Sequence, residues 1–305
     1  MNRKHRNTIC VEDAEVLQHV SHPSDQFVLR LLAPDCAKLA IPGSFVHIRC
    51  DIDIPMRRPL SIMRVNSQEG WIEVLYKTVG QGLRALSKNQ PGDCISIMGP
   101  IGNGFRPDPD RPLVVMIGGG VGIPPLIFLG EHLNDYTWRD DGWCKAAKSD
   151  FASVAFFGSE IPFPFTLQES RIPLDGCPAS ATATIDSMEA GNTPCRLASQ
   201  AGFTGCYPGL VTELAREWLE PISSERLAET VIYACGPEPM LRATASLAAD
   251  FGIPSQLCLE EFMACAVGGC AGCTVQIKTD TGPAMKRVCV DGPVFPGHEV
   301  YPAQN

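Results

Sequence analysis

The chain has 305 residues, of which 45% are hydrophobic, and it carries a formal net charge of −9. This length favours about two domains of roughly 150 residues each. The negative charge argues against nucleic-acid binding, which uses basic patches, and no apolar run reaches the ~18 residues that span a bilayer. The basic residues 1–7 lack the apolar segment of a secretory signal, so we expect a cytoplasmic protein without membrane contact.

The first hundred residues have the pattern of β-structure. Glycine, proline and asparagine turns separate short runs that are apolar or alternating. These runs lie at 27–32, 45–49, 71–76 and 94–98. Several short strands at this spacing are typical of a barrel or a sandwich, and the polar, proline-rich stretch 106–112 marks the end of this domain.

The next part of the chain has the pattern of an α/β domain. The continuous apolar run 113–117 is typical of a buried parallel strand. The glycine-rich turn 118–125 follows it and leads into a predicted helix at 126–134, whose start offers N–H groups and a positive dipole end to a phosphate. A second turn, 235–240, follows the predicted strand 230–234, where ligands bind at the carboxyl ends of parallel strands. The stretch 175–209 is rich in small and polar residues, and we predict an elaborated loop there.

Four cysteines near the C-terminus have a spacing that indicates a metal centre. Cys265, Cys270 and Cys273 form a C-x4-C-x2-C pattern, and Cys289 follows. This is the arrangement of the plant-type [2Fe–2S] cluster, and the small residues between the cysteines allow the backbone to approach its sulfides. The alternative is a structural zinc site, which usually takes paired C-x2–4-C knuckles, and only one such pair is present. We therefore predict a redox protein with these four ligands.

Several motifs in this order resemble one family. Besides the two turns described above, they are Arg57–Ile62 (RRPLSI), Tyr76–Gly82 (YKTVGQG), Met98–Phe105 (MGPIGNGF), Leu259–Cys265 (LEEFMAC) and Lys286–Phe295 (KRVCVDGPVF). Together they resemble the electron-transfer subunits of type B dihydroorotate dehydrogenase, which belong to the ferredoxin-reductase-like flavoproteins. The resemblance spans about residues 10–300. The R-P-x-S and C-G-P motifs are general to the superfamily, whereas the cluster module indicates the narrower group.

The resemblance implies a mixed β and α/β fold in three parts. An N-terminal antiparallel β-barrel, residues 8–106, would bind FAD. A Rossmann-like parallel α/β domain, residues 107–257, would bind NAD. A small C-terminal module, residues 258–305, would carry the [2Fe–2S] cluster.

The resemblance also implies a set of FAD-binding residues. Arg58 would pair with the diphosphate, as a guanidinium fork suits phosphate oxygens, and Ser61 would hydrogen-bond the flavin ring. Two alternatives stay open: an exposed basic pair at Arg57 and Arg58, and a barrel-core aromatic at Tyr76. Leu83 stands where the family usually has a small hydroxyl residue. The implied set is Arg58, Pro59, Leu60, Ser61, Leu75, Tyr76, Lys77, Gly82 and Leu83.

For the nucleotide, the resemblance implies contacts from both turns of the second domain. These residues are Gly118, Gly119, Gly120, Gly122, Cys235, Gly236 and Pro237. No histidine stands near Cys235 in the sequence, which argues against a nucleophilic cysteine. Glu160 follows the predicted strand 151–157, at a place where the family commonly has a basic residue. Its charge would disfavour a 2′-phosphate and therefore NADP. Residues 199–205 replace the family's usual acidic, glycine-containing segment, which leaves the efficiency of NAD use open.

The implied function is an electron relay within an oxidoreductase of pyrimidine biosynthesis. FAD would exchange a hydride with NAD and single electrons with the cluster, and the cluster would exchange electrons with a separate catalytic subunit. In the family that subunit carries FMN and oxidises dihydroorotate, and we expect two copies of each subunit. This chain offers no base for that oxidation, so we predict no catalytic residue. The alternatives are a stand-alone NADH:acceptor reductase, a relay subunit of a sulfite reductase or hydrogenase, and a zinc-binding scaffold.

Overall fold

The N-terminal part of the protein is a closed antiparallel barrel in the computed structural model, which describes residues 8–139, 142–145 and 151–302, without the side chains of 138 and 139. Its elements are β1 (Cys10–His22), β2 (Gln26–Leu32), α1 (Pro34–Leu39), β3 (Phe45–Ile48), β4 (Arg58–Asn66), β5 (Trp71–Lys77), α2 (Gly80–Leu86) and β6 (Cys94–Ile101). The strand order is β1-β2-β5-β4-β3-β6, and β6 closes on β1. The four runs that the sequence predicted as strands correspond to β2, β3, β5 and β6, and the predicted barrel is confirmed.

Alternation along β3 and β4 decides which side chains fill the barrel. Val46 and Ile48 of β3 and Leu60 and Ile62 of β4 belong to one buried cluster inside the barrel. Because successive strand residues point to opposite faces, the residues between them face outward. The outward face of β3 packs against the C-terminal module, because Phe45 shares a buried cluster with Met263, Cys273 and Cys289.

The second part is a parallel sheet with helices. Its elements are β7 (Leu113–Gly119), a 3-10 turn (Gly120–Gly122), α3 (Ile123–Asp135), β8 (Tyr136–Arg139), β9 (Gly142–Lys145), β10 (Ala152–Gly158), β11 (Leu167–Glu169), β12 (Ala183–Ile185), α4 (Asp186–Ala190), β13 (Cys195–Ala198), α5 (Val211–Leu219), α6 (Ser224–Ala228), β14 (Thr230–Cys235), α7 (Glu238–Asp250) and β15 (Ser255–Cys258). The parallel strands run in the order β13-β10-β7-β14-β15. The stretch 175–209 is therefore more than the predicted loop, because it contains β12, α4 and β13.

Both faces of the central strand β7 are covered. Val115 and Ile117 pack in a core that includes residues of α5 and α7, whereas Val114 and Met116 pack in a core with residues of α3. A strand that is buried on both faces must be apolar at every position. This explains the continuous apolar run at 113–117, and it confirms the predicted α/β class of this part.

The C-terminal part consists of the cysteine loop, a hairpin and a short return to the sheet. Its elements are β16 (Thr274–Thr279), β17 (Gly282–Arg287), β18 (Val294–Pro296) and α8 (Gly297–Val300). β16 and β17 pair with each other, while β18 pairs antiparallel with β15, so that Phe295 lies opposite Leu257. The module is therefore joined to the second domain through a shared sheet. No helix within the described ranges is long and apolar enough to cross a bilayer.

Candidate functional site

The two predicted FAD segments meet where β4 begins. The Arg58 Nη1 atom donates to the backbone oxygens of Met56 at 2.8 Å and Arg57 at 3.1 Å. A Cβ atom at Gly82 would lie 3.2 Å from Arg58 Nε, so the guanidinium packs directly on the first turn of α2. This turn has no side-chain cap, which leaves backbone N–H groups available. A guanidinium beside free N–H groups is an arrangement that suits a diphosphate.

The other residues of the two FAD segments divide between the barrel core and its surface. Pro59 and Ser61 face outward and are half-buried, whereas Leu60 is buried in the barrel. Leu75 is also buried, and Lys77 and Leu83 are half-buried.

Tyr76 lies in the barrel core rather than on its surface. Its side chain is buried, its hydroxyl is 2.8 Å from His19 Nε2, and its ring stacks on Phe27. The alternative of a core aromatic therefore describes the Tyr76 side chain. Any contact of this residue with FAD has to come from its backbone.

The two glycine turns of the second domain come together at the ends of adjacent strands. In the register of the sheet, Cys235 lies beside Gly118, and Gly158 lies beside Gly119. A Cβ atom at Gly122 would overlap the Cys235 carbonyl, so only glycine allows this approach of two backbones. The 3-10 turn also contacts β5, which places the nucleotide turn beside the second FAD segment.

The backbone N–H groups that could bind a phosphate at the nucleotide turn are not those that the sequence predicted. The helix α3 begins at Ile123, before the predicted start, and its first turn contains Pro124 and Pro125. Proline fits the first helical turn but has no N–H group to donate. The N–H groups available to a phosphate therefore belong to the 3-10 turn that precedes the helix.

Cys235 is buried without access to solvent. A hydrogen bond with the Cys258 side chain and burial both raise the pKa of its thiol well above the ordinary value. A thiol that stays protonated is a poor nucleophile, which agrees with the argument from sequence. The small side chain fills space at the end of β14.

Glu160 and the unusual segment 199–205 form one corner at the ends of β10 and β13. The backbone N–H of Gln200 donates to Glu160 Oε2 at 3.1 Å, and the N–H of Ala201 donates to Ser199 Oγ at 3.1 Å. Glu160 is exposed. The carboxylate therefore stays at this edge of the sheet and holds the segment against it.

The four cysteines lie in two contacting pairs. The Cys270 backbone N–H donates to Cys265 Sγ at 3.4 Å, and the two side chains are hydrogen-bonded. Cys273 and Cys289 are both buried, and their side chains also contact each other. A [2Fe–2S] cluster takes two ligands on each iron, so four thiols arranged in two pairs fit this group.

The cysteine loop is shaped to direct backbone N–H groups at sulfur. Burial raises the pKa of Cys265, but hydrogen bonds from the backbone of Val267, Cys270 and Gly269 outweigh it and lower the pKa to about 7. The backbone is left-handed at Ala266 and Ala271, with φ of 54° at each. Such a loop favours the thiolate, which is the form that binds metal.

Arg287 and Asp291 stabilise this loop, although the sequence analysis assigned them no role. The Arg287 Nη1 atom donates to the Gly268 carbonyl at 3.0 Å. Asp291 Oδ2 accepts from the Arg287 backbone N–H at 2.8 Å and from Arg287 Nε at 3.3 Å. Both residues lie inside the motif 286–295, which was the signal that could have identified them.

The cysteine module is also held directly by the barrel. The Asn103 backbone N–H donates to the Gly292 carbonyl at 2.7 Å, and its side chain donates to the Val290 carbonyl at 3.0 Å. A Cβ atom at Gly102 would overlap Pro293. Two motifs far apart in the sequence, 98–105 and 286–295, therefore form one interface.

Comparisons with known proteins agree with this arrangement of sites. The family model "Oxidoreductase FAD-binding domain" matches residues 14–105, and "Iron-sulfur cluster binding domain of dihydroorotate dehydrogenase B" matches residues 260–301. A protein of Desulforamulus reducens named "Dihydroorotate dehydrogenase B (NAD(+)), electron transfer subunit" is 32% identical over 95% of this chain and 98% of its own. The protein of the same name from Geobacillus thermodenitrificans is 33% identical over 87% of this chain and 88% of its own.

Solved structures share the fold. An NADH-dependent reduced ferredoxin-NADP oxidoreductase has a TM-score of 0.71 at 24% identity and covers 95% of this chain and 90% of its own. The ferredoxin reductase in carbazole 1,9a-dioxygenase has a TM-score of 0.59 at 21% identity, over 80% of this chain and 67% of its own. The ferredoxin-reductase-like fold that the sequence predicted is thereby confirmed.

Proposed function

The chain belongs to the electron-transfer subunits of dihydroorotate dehydrogenase B, and from this membership we propose that it relays electrons between NAD and a catalytic subunit. It is an electron-transfer component of an oxidoreductase with an FAD-binding domain and an iron–sulfur module. When bound, FAD exchanges a hydride with NAD and single electrons with the cluster, and the protein supplies position and electrostatics.

The proposal rests mainly on one observation: a buried core is shared between the cysteine module and β3, the neighbour of the strand that carries the R-P-x-S motif (β4, called here the flavin strand). Phe45 of β3 lies opposite Ser61 of the R-P-x-S motif. Phe45 is also a member of the buried cluster that contains Met263, Cys273 and Cys289. A rigid, packed contact of this kind would keep the separation between the flavin and the cluster constant.

We propose that the residues of the barrel hold FAD through its diphosphate and its ring. Arg58 and the N–H groups at the start of α2 would bind the diphosphate. Ser61, which faces outward beside Phe45, would hydrogen-bond the flavin ring. These roles require FAD rather than FMN, because FMN has no diphosphate.

NAD binding is assigned to the turns of the second domain. The 3-10 turn Gly120–Gly122 would offer its N–H groups to the diphosphate, and Cys235-Gly236-Pro237 would lie beside the nicotinamide. Glu160 supports NAD over NADP, because an exposed carboxylate at the end of β10 would repel a 2′-phosphate. The names of the related proteins also specify NAD(+).

The partner is the catalytic subunit of dihydroorotate dehydrogenase B, and the surface we propose for it surrounds the cysteine loop. Phe262 is 92% exposed and Val267 is 50% exposed, on either side of Cys265. Exposed apolar side chains beside the exposed Cys270 are suited to a protein contact. We further propose that the catalytic subunit carries FMN and that two copies of each subunit assemble.

One experiment tests the relay and its division of labour. The protein is purified anaerobically, its flavin and metal are identified after release, and NADH is then added. We expect FAD, iron and sulfide, with the flavin and the iron–sulfur centre both reduced by NADH. Mixing with the catalytic subunit of a close relative should couple dihydroorotate oxidation to NAD reduction.

Three results would contradict parts of the proposal. Stoichiometric zinc without iron would refute the cluster, and a dominant FMN peak would refute the FAD site. Dihydroorotate oxidation by the isolated chain would refute the need for a catalytic partner and would favour a self-sufficient enzyme.

A further inference from the structure

A buried histidine lies between the flavin strand and the cysteine module. His47 is on the outward face of β3, opposite Pro59 of β4 and Met98 of β6. It is 1% exposed, and neither ring nitrogen makes a hydrogen bond of normal geometry within the described residues. A buried polar group without a partner is costly, and in a native protein it requires a specific explanation.

Backbone groups from both sites surround the ring. Burial and the charges of Arg57 and Arg58 lower the pKa of His47 to about 4. The backbone groups of Arg57 and Met263 act in the opposite direction, because they lie close to the ring although they do not reach normal hydrogen-bond geometry. The ring is therefore neutral near pH 7, with one N–H donor and one acceptor nitrogen. Arg57 precedes the predicted diphosphate ligand Arg58, and Met263 lies two residues before Cys265.

The position of the His47 ring in the fold allows it to influence both the flavin strand and the cysteine loop. Phe45, two residues earlier on the same face of β3, shares its buried cluster with Met263 and with Cys273. The outward face of β3 therefore forms a layer that lies beside Ser61 of β4 and shares a buried cluster with the cysteine loop. A hydrogen bond across this layer would fix the approach to Cys265 relative to the flavin strand.

We propose that His47 is a positioning residue for electron transfer between flavin and cluster, whose ring N–H donates to the Met263 backbone carbonyl once the cluster is bound. The proposal rests on the relay proposed above. A purely structural histidine would fill the same space, and this alternative makes a different prediction. Replacing the ring by an apolar ring would then remove two unsatisfied nitrogens without loss of function.

The test compares three substitutions in the full-length protein loaded with its cofactors. His47→Phe keeps a ring and removes the donor, whereas His47→Asn and His47→Gln keep an amide N–H near the position of either ring nitrogen. His132→Phe is the matched control, because His132 Nε2 is also buried without a hydrogen-bond partner, in α3. Iron and FAD contents are measured first, followed by the spectrum and potential of the chemically reduced cluster. Rapid mixing with NADH then gives the rate of cluster reduction after flavin reduction.

We expect His47→Phe to retain iron and FAD and to slow cluster reduction by about tenfold, at the low end of the effect of outer-shell partners. Its cluster spectrum or potential should also shift, while His132→Phe behaves like the wild type. At least one amide variant should recover most of the rate.

Unchanged transfer and an unchanged cluster spectrum in His47→Phe would overturn the proposal. If His47→Phe loses the cluster, the amide variants decide the question, because the proposal requires at least one of them to keep it. Failure of the relay itself is recognised separately, as a wild-type cluster that NADH does not reduce. The spectrum of the chemically reduced cluster would still test His47 in that case.

Discussion

The contact between Arg58 and Gly82 makes a prediction about FAD retention. Arg58→Ala should remove a charge-assisted contact of roughly 1.5–3 kcal/mol and weaken FAD binding by about tenfold or more. Gly82→Ala should also weaken binding, because the added Cβ would lie 3.2 Å from Arg58 Nε and shift the guanidinium by a few tenths of an ångström. The dissociation constant of FAD measures both effects. In the double variant the two losses should not add, since both act on one group; full additivity would mean that Gly82 acts independently.

The two alanines with positive φ in the cysteine loop should respond differently to glycine. The left-handed conformation costs a residue with a Cβ roughly 1–2 kcal/mol, and this cost is removed by glycine. Glycine in turn lowers the free energy of unfolding by about 0.5–1 kcal/mol, because it loses more conformational entropy on folding than alanine does. Ala271 is exposed, so Ala271→Gly should raise the melting temperature of the holoprotein by about 1–2 °C. Ala266 is 1% exposed, and the loss of its buried methyl group, about 0.8 kcal/mol, should cancel the gain. A higher melting temperature for Ala266→Gly than for Ala271→Gly would contradict this assignment of strain.

At the scale of elements, Arg287 links the hairpin β16–β17 to the cysteine loop. Arg287→Met should free the Gly268 carbonyl and shorten the lifetime of the bound cluster in air by about tenfold, as expected for an outer-shell partner. Asp291→Asn should have a smaller effect, because the amide oxygen can still accept from the Arg287 backbone. The decay of the visible absorbance of the cluster measures both.

A matched control for this prediction is Arg226→Met in α6, which breaks an exposed ion pair with Glu229. Exposed pairs contribute little, so the lifetime of the cluster should not change. Equal lifetimes for Arg287→Met and the wild type would show that the loop does not depend on this bond.

Long or strongly apolar elements could be predicted from the sequence, whereas short edge strands could not. β7 was predicted because its burial on both faces leaves a continuous apolar run. β13 was missed, because four residues show no periodicity and one of them is Arg196. That side chain is buried, and it donates to Ser170 Oγ at 2.6 Å and to the Ile172 carbonyl at 2.7 Å. Only the tertiary structure supplies these hydrogen-bond partners. The charged Arg196 therefore made β13 look like an exposed segment in the sequence, although this strand is buried.

At the scale of the whole molecule, the cysteine spacing and motifs indicated the cofactor sites but not their mutual contacts. Asn103 and Val290 are separated by 187 residues and share a hydrogen bond. His47 is also far from the cysteine loop in sequence and looks like an ordinary strand residue. Such contacts arise from the packing of three parts around β3, β15 and β18, which no local pattern encodes. They are also the contacts that would set the distance between the two redox sites.

The surface around the cysteine loop should be the contact with the catalytic subunit, because the cluster has to approach the partner's redox centre. Val267→Glu places a charge in this surface, and its desolvation should weaken the complex by about tenfold or more. Iron content should not change, since the Val267 side chain is half-exposed and its backbone N–H is retained. Ala179→Glu, at an exposed position of the second domain, is the control and should bind normally. Titration of the catalytic subunit against both variants measures the affinity. Normal affinity of Val267→Glu would place the interface elsewhere on the molecule.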